Sequence, residues 1–306
     1  VVVAYGTQSA RTVTASVSTV RADALKDVPS VSFDQMLQGR ASGVSITTPS
    51  AGVGQAPIVR VRGVNSITSG TSPLYVVDGV PIESGNLSYL ANANALADIN
   101  PADIVSMDVL KDAAAAALYG SRAANGVILI TTKQGQSGKV KVSYDGFVGF
   151  SNATDFYEMM NAQEYVDFKN LAVKNRYGTD ELSLTTGYVS PYGNKDAAFQ
   201  NGLSQSHSVA VSGGSDKVRY YLSGNYTTQE GIVKGDKYDR LGVKANINVQ
   251  ATDWLKVGMN TNVTTGTTSY VDAARRGSNF AVGGFPRLAL INAPNLPMYN
   301  EDGTPY

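Results

Sequence analysis

The sequence predicts a small α+β domain followed by antiparallel strands of a transmembrane β-barrel, with about five of the 8 or more strands that a closed barrel requires. Three observations predict this. Up to about Gly138, short strands and helical pieces are punctuated by turn residues at irregular intervals. From Lys139 onward, segments of about 10 residues alternate polar and apolar side chains, the period-2 pattern of barrel strands. No run of about 18 apolar residues occurs, which excludes a membrane-spanning helix but leaves a barrel open.

Composition fits that division. The 306 residues are 42% hydrophobic, enough for a substantial core. Charged residues make up 16%, below the roughly 25% of ordinary soluble domains, and 31 glycines suit tight turns. Twenty-five basic residues balance twenty-five acidic ones, so charge gives no pointer to nucleic acid. The absence of cysteine removes disulfides, thiolate metal sites and cysteine nucleophiles. Val1 to Thr12 lacks the basic start, apolar stretch and cleavage site of a signal peptide, and is read as an already processed start.

In the first region, Phe33 to Arg40 predicts a helix, with Phe33, Met36 and Leu37 at i, i+3 and i+4 and Gly39 near its end. Pro57 to Gly63 and Leu74 to Ile82 read as strands, the second interrupted by Asp78-Gly79, a dipeptide that favours the primed turn of a tight hairpin. Asp112 is placed to cap a helix through Ala113 to Tyr119, with Gly120 as its left-handed C-terminal residue. A strand from Gly126 to Thr132 follows.

In the second region, Lys139 to Phe150 places Val140, Val142, Tyr144, Val148 and Phe150 on one face and Lys139, Lys141, Ser143 and Asp145 on the other. His207 to Val211 is a weaker member. Val218, Tyr220, Leu222 and Tyr226 oppose Arg219, Tyr221, Ser223 and Asn225. Leu241, Val243, Ala245, Ile247 and Val249 oppose Arg240, Lys244, Asn246 and Asn248, and Leu255, Val257 and Met259 oppose Lys256, Asn260 and Asn262. A soluble sheet with one wet face alternates in the same way, but the connections differ in length. Gly213 to Lys217 and Ala251 to Trp254 are tight, whereas Ser151 to Ser204 and the stretch after Gly266 are long, as periplasmic turns and external loops are. Because five strands leave an open edge, the sequence is expected to be part of a longer barrel.

Several stretches resemble the SusC/RagA family of TonB-dependent transporters. Met36-Leu-Gln-Gly-Arg-Ala-Ser-Gly43, Val59-Arg-Val-Arg-Gly63 and Pro73-Leu-Tyr-Val-Val-Asp-Gly-Val80 look like consecutive blocks of that family's plug. Ile99-Asn-Pro-Ala-Asp-Ile104, Val109-Leu-Lys-Asp112 and Leu118-Tyr-Gly-Ser-Arg-Ala-Ala-Asn-Gly-Val-Ile-Leu-Ile-Thr-Thr-Lys133 continue the match. Ser212-Gly-Gly214, Tyr220-Tyr-Leu-Ser223 and Trp254-Leu-Lys-Val-Gly258 are similar to its opening barrel strands.

The resemblance implies an outer-membrane barrel of about 22 strands with a plugged lumen. Residues 1–12 would hold a TonB-box remainder and linker, 13–136 the plug, and 137–306 the first barrel strands with their external loops. It implies active import of an oligosaccharide or peptide, energised by TonB with ExbB/ExbD, assisted by a SusD-like surface lipoprotein, in contact with outer-membrane lipid and with no cofactor, metal or nucleic acid. Val1, Val2, Val3 and Tyr5 are the expected TonB contacts, since a partner adds to such a segment as a strand. Arg60, Arg62, Gly63, Asp78, Gly79, Lys111, Asp112, Arg122, Asn125 and Gly126 are the structural plug motif, with Arg60 and Arg62 on one strand face and paired to acidic wall residues. Asn65, Ser66, Tyr89 and Asn92 are candidate substrate contacts.

An enzyme is disfavoured by the inventory, because His207 is the only histidine and falls on an apolar strand face. Asp103, Asp108 and Asp112 lack the spacing of an EF-hand loop and suit turn and cap roles, and Gly52-Val-Gly54 lacks the third glycine of a dinucleotide loop. A secreted carbohydrate-binding or adhesin module and a siderophore or cobalamin receptor stand as the alternatives.

Overall fold

In a computed structural model, the chain is described over residues 2–3, 6–7, 17–21, 32–48, 53–54, 57–64, 70–82, 99–111, 117–154, 158, 160–179 and 198–269. The N-terminal domain is built on a five-stranded mixed sheet in the order β3-β8-β9-β6-β7, comprising β3 (Val17–Arg21), β6 (Leu74–Val77), β7 (Val80–Ile82), β8 (Ile104–Leu110) and β9 (Val127–Thr132). Strand β9 lies parallel to β6 and antiparallel to β8. Its run Val127-Ile-Leu-Ile130 is apolar at every position because both of its faces are covered. Ile128 and Ile130 join Phe33, Leu37, Tyr75, Met107 and Val109 on one side, while Val127 and Leu129 join Leu74, Val76, Leu110 and Ala123 on the other. The first cluster is capped by a two-stranded ribbon of β4 (Val44–Thr47) and β5 (Ile58–Val61), which contributes Ile46, Val59 and Val61. At the start of the chain, β1 (Val2–Val3) pairs antiparallel with β2 (Gly6–Thr7).

Local chemistry sets the joints. Asp78 and Gly79 have φ of 48° and 88°, the two left-handed residues that a tight primed hairpin demands between β6 and β7. Gly126, at φ 90°, is tightly packed, since a Cβ there would lie 3.1 Å from both Val61 Cβ and the Leu110 carbonyl oxygen, and a side chain would be strained at that dihedral. The helix expected over Phe33 to Arg40 is shorter than its pattern: α1 covers Phe33–Met36 and gives way to turns through Arg40. The start of the helix expected after Asp112, residues 112–116, lies outside the described residues. Ala117–Ala123 is 3-10 in character, with Gly120 at φ 69° and ψ −160°, an extended glycine conformation rather than a left-handed helical cap.

The second region forms a five-stranded sheet in chain order, comprising β10 (Gly138–Ser151), β11 (Gly202–Gly214), β12 (Val218–Glu230), β13 (Lys237–Gln250) and β14 (Lys256–Ser269). Each strand has 13 or 14 residues, beyond the 9–11 or so that a tilted strand needs to cross a bilayer. Strands β11 and β12 pair from Ser204↔Gln229 to Gly214↔Arg219.

Residues 1–149, 203–229 and 237–268 make one compact unit, and residues 150–202, 230–236 and 269–306 make a second. Within the second, α2 (Ala162–Tyr177) occupies what the sequence suggested was only a long connection. A capping box starts it, with Glu164 N–H donating to Asn161 Oδ1 at 2.9 Å and Asn161 N–H to Glu164 Oε2 at 3.0 Å. Gly178 closes it at φ 68°.

Candidate functional site

Alternation gives the barrel-type sheet two unlike faces. On β13, Leu241 and Val243 are 54% and 56% exposed, whereas Lys244 and Asn246 beyond them are 5% and 4% exposed. On β12, Leu222 and Tyr226 are exposed while Tyr221, Ser223, Asn225 and Thr227 are buried. On β12 and β13 the greasy side chains face outward and the polar ones are covered, the reverse of a water-soluble sheet, whereas β10 and β14 are largely exposed on both faces. What covers the polar face is the N-terminal domain, and the seam between them is held by hydrogen bonds and charge.

Two acidic residues of the N-terminal domain anchor that seam. Asp78 sits where the hairpin turns away from β9, and its carboxylate accepts from the Thr132 N–H at 2.9 Å and from the Thr132 hydroxyl. It also accepts from Asn260 Nδ2 on β14 at 2.9 Å and lies 3.8 Å from Lys244 Nζ on β13. Lys244 Nζ in turn donates to Thr132 Oγ1. Asp103 ends a 3-10 turn, Pro101–Asp103, started by the Asn100 side chain accepting from Ala102 N–H at 3.2 Å. One Asp103 oxygen accepts from Tyr221 Oη at 2.7 Å and the other from Ser223 Oγ at 2.9 Å, both on β12. Asn100 Nδ2 donates to Ser208 Oγ on β11 at 3.0 Å.

Hydrogen bonds to ionised oxygens are about twice as strong as neutral ones. Both ends of the Lys244–Asp78 pair are largely buried, so stripping away one partner alone costs about 3–5 kcal/mol. The seam therefore spans three elements of the domain and four wall strands with few groups, each specific in geometry.

Of the expected plug-motif residues, Asp78 reaches the wall, and so does Asp103, for which the sequence suggested only a turn or cap role. Lys111, Asn125 and Gly126 work inside the domain instead: Lys111 Nζ donates to Ser18 Oγ and Ser42 Oγ at 2.8 Å each, and Asn125 Nδ2 donates to the Gly70 carbonyl at 2.6 Å. Arg122, Gly63 and Gly79 are exposed.

Arg60 and Arg62 do not share a strand face. Strand β5 ends at Val61, and Arg62 turns away at φ 58°. In the seam itself the domain supplies the carboxylates Asp78 and Asp103, and the wall supplies the cation Lys244. Val1, Tyr5, Asn65, Ser66, Tyr89, Asn92 and Asp112 lie outside the described residues, and Val2 and Val3 are described only as backbone in the β1–β2 pair.

Sequence reasoning placed Tyr221, Ser223, Lys244 and Asn260 on the wet face without finding their partners. The signal was present, since a polar face that cannot look into lipid must look onto something.

Comparison with known proteins agrees with this arrangement. The family model described as TonB-dependent Receptor Plug Domain matches residues 9–127. TonB-dependent receptor P26 of Formosa agariphila is 36% identical over 317 residues, and TonB-dependent receptor SusC of Bacteroides thetaiotaomicron is 34% identical over 305 residues. Each alignment covers 99% of this chain, which spans 29% of the length of either relative. Among solved structures, the RagAB peptide importer in its open-open state superposes with a TM-score of 0.77 at 28% identity, over 90% of this chain and 33% of that one. The chain carries a TonB-dependent receptor plug domain and five antiparallel strands of the barrel type, and over nearly its whole length it is similar to receptors of the SusC/RagA type.

Proposed function

We propose that the protein of which this chain forms part imports a nutrient across the outer membrane, with the plug gating the barrel lumen and TonB, energised by ExbB/ExbD, releasing it. The observation that carries this reading is the polar seam at Asp78, Asp103 and Lys244, buried between plug and wall. An apolar seam would commit the plug permanently. A hydrogen-bonded one can be exchanged for water at a net cost of about 0.5–1.5 kcal/mol per bond, which suits a part that has to move under mechanical pull.

A substrate of the oligosaccharide or peptide class, delivered by a SusD-like surface lipoprotein, fits the likeness to RagAB, itself a peptide importer. Asn65, Ser66, Tyr89 and Asn92 remain the proposed plug contacts for it. Val1, Val2, Val3 and Tyr5 are the proposed TonB contacts.

The test is to fasten the seam. Asp103 and Ser223 touch through their side chains at 2.9 Å, so D103C/S223C introduced into the full-length receptor offers a disulfide across plug and wall. Growth on peptide or oligosaccharide as sole nutrient should stop when the pair is oxidised and resume on reduction. Undiminished growth with a fully oxidised pair would overturn the gate.

A further inference from the structure

Away from the polar seam, two glycines press the N-terminal half of the chain against the wall at opposite ends of its strands. Val53, in the connection between β4 and β5, packs with Tyr238 of the wall in a buried apolar cluster separate from the two clusters of the plug. Gly54 beside it, at φ 67°, lies against the Tyr238 ring, since a Cβ there would stand 2.7 Å from Tyr238 Cδ2. Space and dihedral both call for glycine. Tyr238 is near the start of β13, at the end away from the tight turns, and shares the plug-facing side with Lys244.

The other contact belongs to the strap that joins β9 to β10. A Cβ on Gly135 would lie 2.3 Å from the Tyr220 nitrogen and 2.7 Å from the Tyr220 carbonyl oxygen, so main chain rests on main chain there. Tyr220 is near the start of β12, beside a tight turn. From Gly135 the strap must reach Gly138, where β10 begins, and β11 lies between β10 and β12. Two interstrand spacings are about 9.6 Å and three extended residues span about 10 Å, so the strap is drawn taut. Upstream, Lys133 N–H ties it to the Asp103 carbonyl at 2.7 Å.

These contacts differ in kind from the seam. A hydrogen bond broken at the seam finds water in exchange. A ring on a glycine, or a taut strap on a strand, is held by fit and dispersion, which water does not replace. A body held at two points turns only about the line through them. Here that line runs from β12 to β13, and seam partners lie on both sides of it, Ser208 on β11 and Asn260 on β14. Turning in either sense lifts one of them off the wall.

We propose that the Gly54–Tyr238 and Gly135–Tyr220 contacts are the pivots of the plug: they stay closed during transport, and the gate opens by turning about them rather than by leaving the barrel. Gly54, Gly135 and Tyr238 are thereby positioning residues of the gate, an inference that rests on the reading of the plug as a TonB-driven gate.

A Cβ on Gly54 would lie 3.4 Å from Tyr238 Cβ, at the near edge of the 3.5–4.5 Å or so found in disulfides. G54C/Y238C in the full-length receptor therefore fastens a pivot, as D103C/S223C fastens the seam. Both are grown on a casein peptide digest or a mixed oligosaccharide hydrolysate, whichever feeds the parent, and heat-modifiable gel mobility certifies that each is folded. Oxidised G54C/Y238C should grow as its reduced form does, while oxidised D103C/S223C stops. Arrest of both oxidised pairs overturns the pivots and leaves the gate standing, whereas growth of both overturns the gate and the pivots with it. Should the cysteine pair not fold, Tyr238 alone decides. Tyr238→Ala removes the ring and should admit vancomycin about tenfold more readily than the parent, and Tyr238→Phe, which keeps the ring, should not. Parent-like exclusion by Tyr238→Ala overturns the pivot.

Discussion

The plug's own core and the seam where the plug meets the wall solve the same packing problem with opposite chemistry. Around β9, Val127, Ile128, Leu129 and Ile130 are nearly solvent-free and belong to the two apolar clusters of the plug. Two residues further along the strand, Thr132 meets Asp78 and Lys244. Apolar burial is non-directional and has nothing to gain from water, so separating such faces costs their full area. A polar seam is directional and fixes one register, yet each broken bond finds a replacement in water. Cohesion of the plug and its adhesion to the wall therefore draw on different interactions, and weakening the second need not unfold the first.

Truncating the core should give the largest effect. Phe33 is fully buried and packs edge-on to Tyr75, with ring centroids 6.2 Å apart at 76°. Phe33→Ala should destabilise the plug by about 3–5 kcal/mol, read from urea unfolding of the full receptor. A loss under about 1 kcal/mol would mean that the plug draws its stability from the wall, and the contrast between core and seam would collapse.

On the seam, Lys244→Met strands Asp78 in a buried position and should cost about 3 kcal/mol of plug retention, visible as entry of large antibiotics through the leaking barrel. Adding Asp78→Asn removes the stranded charge and should recover much of that loss. If the double variant is as leaky as the sum of the singles, the two residues are not coupled and the seam is held elsewhere. Tyr221→Phe deletes one donor to Asp103 and should cost less, about 1.5–3 kcal/mol by the same readout.

These contrasts show how far the sequence could be read. The alternating faces of β10 to β14 were legible because lipid on one side enforces period 2, and the Asp78-Gly79 turn because few residues tolerate its dihedrals. The seam was not, since Asp103 and Tyr221 lie 118 residues apart and one sequence assigns a face without naming what lies across it. Asn100 followed by Pro101 was a readable cap that would have fixed where Asp103 sits.

Arg60 and Arg62 misled because period 2 presumes an extended backbone, and φ of 58° at Arg62 breaks it. Helix α2 escaped because its apolar residues form no buried stripe: Phe168 and Leu171 are exposed and only Ala162 and Val166 are buried.

The smallest effect at neutral pH comes from Tyr75, and it sharpens the contrast from the side of the core. Its hydroxyl is buried, and burial, aided by the nearby Asp34 carboxylate, pushes its ionisation well above the ordinary tyrosine range. In the unfolded chain that hydroxyl ionises near 10 or so. Because the folded state keeps the proton to higher pH, the stability tied to it is fully present below about pH 10 and drains away as pH rises further. Tyr75→Phe should leave the plug within about 1 kcal/mol of the parent at pH 7. It should also flatten the decline in stability between about pH 10 and 11.5, measured by urea unfolding at each pH. An unchanged alkaline slope would mean that water reaches Tyr75 and that the core is as wet as the seam.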